Sequence, residues 1–214
     1  LKKQVPTEEP LPSIRQYLFG SFFIMLGYSV LMTGDVVMVK NLFPECAGDF
    51  AYAATLARLI LFIPQSLVGA MFPKVVAEGR GSAKQQKLLK KTLLASLVSS
   101  SATALLFTVL ARWLPQVLFG IEVPSVDLVR WLRVLSWVMV PVALLSSVMR
   151  YALAQYRFTI ASVIPVAALG YVIVSFAFLK SPDALLVSLG FLSLLSLCVV
   201  SVAIFRDSER SVHE

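Results

Sequence analysis

Residues 54–74 read ATLARLILFIPQSLVGAMFPK, almost continuously apolar, yet Arg58 sits among them and Pro64 lies near the middle. The length suits a bilayer crossing, which takes about 20 residues of helix. A guanidinium at the bilayer centre costs about 2.5–3.5 kcal/mol on insertion scales. Something must compensate for that charge or make use of it.

The rest of the chain is of the same kind. Of 214 residues, 58% are hydrophobic and 14% charged, and the mean hydropathy is +0.83. Soluble domains carry about a quarter charged residues. The composition therefore predicts an all-α integral membrane protein. Charges bound six apolar runs, giving expected spans at 16–39, 50–73, 92–111, 131–150, 158–179 and 184–205. In the fourth, the apolar run between Arg133 and Arg150, 134–149, is short, and both arginines are expected to snorkel from its ends. Flanking the resulting bundle, 16–206, are a polar linker, 1–15, and a tail, 207–214. The opening LKKQVPTEEPLPSIRQ has no apolar signal core. It starts with Leu and reads as a linker entering mid-protein, so the natural polypeptide is expected to continue upstream.

Basic residues fix the expected orientation. Thirteen of the nineteen fall on one side: Lys2, Lys3, Arg15, Lys74, Arg80, Lys84, Lys87, Lys90, Lys91, Arg150, Arg157, Arg206 and Arg210. The opposite side receives five, Lys40, Arg112, Arg130, Arg133 and Lys180. The positive-inside rule places both termini in the cytoplasm. It also accounts for the net charge of +7 without nucleic acid. The loop KVVAEGRGSAKQQKLLKK, with six of the thirteen, reads as a topology signal; binding of anionic membrane lipids is its alternative.

Cys46 in a loop and Cys198 in a span form no disulfide framework, and His213, the single histidine, anchors no metal site. No phosphate-binding loop, nucleophile–base arrangement or dinucleotide fingerprint occurs. Neither an enzyme nor a cofactor or metal is expected.

Within the spans, Gly20, Gly27 and Gly34 recur every seven residues and predict close helix packing. Ser96, Ser99, Ser100, Ser101 and Thr103 in the third span predict interhelical hydrogen bonds, with a hydroxyl-lined cavity as the alternative. The sixth span, with Ser188, Ser193, Ser196 and Ser201, reads the same way. Pro64, Pro141 and Pro165 predict kinks. Arg58 lies nine residues past Asp49, roughly 13 Å deep at 1.5 Å per residue. Asp35, in the outer part of the preceding antiparallel helix, falls at a similar height. The two either pair or leave Arg58 facing an aqueous cavity and an anionic substrate; snorkelling is the third alternative.

The stretch AGDFAYAATLARLILFIPQSLVGAMFPKVVAEG resembles the corresponding segment of the polysaccharide flippases of the multidrug/oligosaccharidyl-lipid/polysaccharide exporter superfamily. TGDVVMVKNLF resembles that family's Asp-bearing seventh helix. QVLFGIEVPSVDLVRWLRVLSW resembles the stretch between its ninth and tenth helices, with Val123 where an aromatic is common. ALAQYRF resembles the turn before the eleventh. The resemblance implies the C-terminal six-helix lobe of a twelve-helix, two-lobe transporter in the bacterial cytoplasmic membrane, partnered by a missing N-terminal lobe. It further implies alternating access moving an undecaprenyl-pyrophosphate-linked oligosaccharide for surface polysaccharide biosynthesis, with Arg58 and Asp35 as substrate-binding candidates. Polysaccharide polymerases and glycosyltransferases are the further partners implied. Two other functions compete with it: a drug/cation antiporter of the same superfamily, and a non-transporting scaffold for glycan assembly.

Overall fold

In the computed structural model, which describes residues 14–77, 83–178 and 181–213, every regular element is helical. The helices are α1 (Ile14–Leu42), α2 (Ala47–Arg58), α3 (Phe62–Ala77), α4 (Ala83–Val109), α5 (Leu114–Phe119), α6 (Val126–Ala154), α7 (Phe158–Ala161), α8 (Val163–Phe178) and α9 (Pro182–His213). Single 3₁₀ turns at Pro44–Cys46 and Leu59–Leu61 lead into α2 and α3. Residues 1–13 and 78–82, which include most of the expected linker and part of the basic loop, lie outside the described residues.

Six segments are long and apolar enough to cross a membrane: Ile14–Leu42, Pro44–Met71, Lys87–Val109, Val126–Ala154, Phe158–Ala177 and Pro182–Ile204. Large apolar side chains such as Leu94, Leu105, Val166, Phe191 and Val202 are more than half exposed along these helices. In water such a surface would be prohibitive; in hydrocarbon it is the solvated face. The chain is a multi-pass helical membrane protein.

The core forms around α6. Buried residues make up 72% of its apolar window, against 28–44% for the other five. The sequence reading treated this span as a short one, 131–150, yet α6 has 29 residues and runs past both bounding arginines. Its start is set by Ser125, whose Oγ accepts the Leu128 N–H at 3.1 Å and donates to Asp49 Oδ2 at 2.6 Å. Cap and bridge together tie the first turn of α6 to that of α2. Nor does Arg150 snorkel freely, because its Nε is buried. Residues 207–213, read as a tail, continue α9 as helix.

The glycine repeat of α1 faces α7 and α8 in parallel register. A Cβ on Gly20 would meet Phe158 at 2.8 Å, one on Gly27 would meet the Pro165 Cα at 2.5 Å, and one on Gly34 would lie 3.8 Å from Tyr171. Hydroxyls mostly satisfy themselves locally: Ser100 and Thr103 donate to the carbonyls of Ser96 and Ser99 at 2.6 and 2.9 Å. Across helices, Ser96 and Ser147 face each other at 3.4 Å between α4 and α6. In the last span Ser188 and Ser196 likewise bond to Leu185 and Leu192 of their own helix.

Of the three prolines expected to bend helices, two stand at breaks. Pro64 is the third residue of α3, just after the 3₁₀ turn, and Pro165 is the third of α8, just after the interruption at Ser162. Lacking an N–H, each leaves the preceding turn one hydrogen bond short. Pro141 sits within an unbroken α6, as Pro73 does within α3.

Candidate functional site

The break at Leu59–Leu61 comes immediately after Arg58 and sets the site. Thr55 lies three and four residues before Arg58 and Leu59, Phe62 four and three after them, and Gln65 three further on, so one stripe crosses the break and faces α1. With Met32 of α1 they line a pocket of about 300 Å³. Its walls are mainly apolar, with Arg58, Thr55 and Gln65 as polar points. Ser29 and Thr33 of α1, and Ser66 of α3, are exposed on the flanking helix surfaces.

Arg58 is held on two sides. Its Nη2 donates to Asp35 Oδ1, and its Nε donates to the Met32 carbonyl at 3.0 Å. The side chain of Asp35 is fully buried, whereas that of Arg58 keeps 18% exposure. The carboxylate therefore belongs to the core and the guanidinium to the pocket lining. Pairing lowers the desolvation cost of both groups, and the carbonyl bond fixes the plane of the guanidinium.

The pair is not saturated. Asp35 Oδ2 has no hydrogen-bond partner, and the buried Tyr171, with Ser175 beside its hydroxyl, lies within electrostatic range of it. Unspent polar capacity in a core calls for an explanation, and function is one of the standard ones.

Toward the other end of α1, one turn from Met32, a second polar group crosses the bundle. Ser146 and Gln65 flank the Tyr28 hydroxyl, and Arg150 lies within electrostatic range of it. Gln65 belongs to both groups and links them.

Arg58 and Asp35 are thus brought together, with Pro64 within two turns of Arg58. Pro141, Pro165, Gly20 and Gly27 serve other contacts, while Gly34 adjoins Asp35 in the chain and faces Tyr171. Sequence reasoning missed Gln65, Tyr28, Ser146 and the Met32 carbonyl. Gln65, seven residues after Arg58 and hence on its face, was detectable from spacing alone; the others depend on interhelical packing. Among the described residues no group of three or more His, Cys, Asp or Glu could hold a metal ion. No family model, no curated protein and no solved structure matches the chain.

Proposed function

We propose that this chain is one six-helix lobe of a two-lobe flippase that moves a lipid-linked oligosaccharide across the bacterial cytoplasmic membrane, and that Arg58 reads the phosphate of its cargo. The observation that carries this reading is the fixed guanidinium. It is anchored by a buried carboxylate and a backbone carbonyl, and part of it remains free at the pocket. A phosphate oxygen arriving there would gain charge-assisted hydrogen bonds from an already oriented donor.

Further support comes from the surrounding surface. Ser29, Thr33, Thr55 and Ser66 are exposed beside the pocket; the hydroxyls of Thr33, Thr55 and Ser66 donate to carbonyls of their own helices, and their remaining acceptor capacity suits a hydrated cavity closed by a second lobe. The break at Leu59–Leu61 supplies the irregular helix that transporters use around such cavities. Two lobes rocking about this cavity would expose it to one side and then the other. The glycan and its pyrophosphate would travel inside while the polyprenyl tail stays in the bilayer.

The test is complementation of a deletion strain with the full gene product. Arg58→Ala should abolish surface glycan and accumulate the lipid-linked intermediate, whereas Arg58→Lys should retain part of the export. Normal export by both variants at normal abundance would remove Arg58 from the mechanism and favour a scaffold. Drug sensitivity with intact surface glycan in the deletion strain would instead assign the chain to drug export.

A further inference from the structure

At the end of the bundle away from the described N-terminus, Arg112, Arg130 and Arg133 converge on a second pocket, of about 570 Å³. Arg112 follows the end of α4, and the other two lie on the first turns of α6. Pro124, Val126, Val129 and Val134 complete the wall. This end of the chain is sparing with cations: three of the five basic residues read there meet in one place. Cations are normally depleted on one side of a membrane protein, so their concentration at a single pocket there needs a cause.

We infer that this pocket binds the phosphate of an anionic membrane lipid. Two of the three arginines are held in place before any ligand arrives. Arg133 Nε donates to the Thr108 carbonyl at 3.3 Å, and Arg130 Nη2 donates to Asp183 Oδ2 at 2.8 Å. Asp183 also accepts from Trp131 Nε1 at 3.2 Å. The acid on the α2 side, Asp49, is engaged by Ser125. Of the acids described at this end, Asp183 is bonded to the trio through Arg130, while Asp127, one turn before Arg130, and Glu122, two residues before Pro124, lie close in the chain; an anion between the three guanidinium groups would accept from several donors at once. Arginine presents paired N–H donors that match phosphate oxygens.

The surroundings select a lipid over a free ion. Trp137 donates to Thr108 Oγ1 at 3.1 Å and is 48% exposed, while Trp113, next to Arg112, is 66% exposed. Tryptophan at this exposure marks the headgroup level of a bilayer. One turn deeper on the Thr108 face of α4, Leu105 is 57% exposed. Phosphate at the arginines would thus sit at the level of Trp113 and Trp137 and place acyl chains along Leu105, on surface that already faces hydrocarbon.

Native mass spectrometry of the full chain, offered equimolar phosphatidylglycerol and phosphatidylcholine, tests this. The first lipid adduct should favour phosphatidylglycerol at least tenfold. Basic residues near a membrane surface contribute about fivefold each, so the triple variant R112Q/R130Q/R133Q should lose the preference. K40Q, at the same end, and K87Q/K91Q, toward the other, should keep it. If the triple variant fails to fold, R112Q alone disturbs neither the Thr108 nor the Asp183 contacts and should lower the preference several-fold. The inference is overturned by equal uptake of the two lipids, by undiminished preference in R112Q or the triple variant, or by its loss in K87Q/K91Q. Displacement of the adduct by inorganic phosphate at equal concentration would assign the pocket to free phosphate instead.

Discussion

Arg58 and Asp35, 23 residues apart in sequence, form an intramembrane ion pair whose acid is wholly buried and whose base reaches a pocket. That asymmetry separates what the pair does for the fold from what it offers a ligand. Removing one partner of a buried pair leaves an uncompensated charge and costs about 3–5 kcal/mol, whereas replacing both by apolar groups is often neutral. Arg58→Leu alone should therefore lower stability by about that amount, because Asp35 has no exposure to water. The double variant Arg58→Leu/Asp35→Leu should recover most of it. Thermal unfolding of the purified single and double variants measures the difference, and a double variant no better than the single would deny the pair its structural role.

The contact of α1 with α8 makes a second, sharper prediction. Gly27→Ala drives a Cβ into the backbone of Pro165, which has no flexible atom to yield. Overpacking of this kind costs about 1–3 kcal/mol. A Cβ on Gly170 meets nothing within 4 Å, so Gly170→Ala should be neutral or slightly stabilising through helix propensity. Unfolding temperatures of the two variants, compared with wild type, decide the point.

Ser147→Ala should matter little. Its cross-helix contact with Ser96 is long, 3.4 Å, and interhelical hydrogen bonds in membranes average about 0.6 kcal/mol. Ser147→Leu should instead wedge α4 from α6, since Ser147 and Ser96 are both fully buried. A stability loss for Ala equal to that for Leu would show the hydroxyl, and not the space, to be the constraint.

Asp183 anchors the first turn of α9 to α6 through Arg130 and Trp131. The ion pair is exposed, 60% and 39% for the two side chains, so its value is held to about 0–1 kcal/mol. Asp183→Asn should lower stability by no more than that and show little salt dependence in unfolding experiments.

The six spans were legible because charges cut the chain into apolar blocks, and each block corresponds to a helical segment of membrane length, the second and fifth of them interrupted. Arg112 and Arg157 do bound their spans, but the arginines of the fourth span do not. Arg133 and Arg150 lie inside α6, and the better signal for its start was Ser125, a capping residue. The similar heights of Asp35 and Arg58 followed from counting residues along antiparallel helices, and the two side chains are in contact. The Tyr28–Ser146–Arg150 group and the convergence of Arg112 with Arg130 and Arg133 join residues from different helices. Rotation of each helix about its axis decides such contacts, and periodicity within one helix does not set it relative to its neighbours.

Transport by the Arg58→Leu/Asp35→Leu variant of the full gene product tests the central claim most directly. Such a variant is expected to recover most of the stability lost with Arg58 alone while removing the guanidinium. At wild-type abundance and unfolding temperature, it should export no surface glycan and should accumulate the lipid-linked intermediate. Export at the wild-type rate from that variant would contradict the claim that Arg58 reads the phosphate of the cargo.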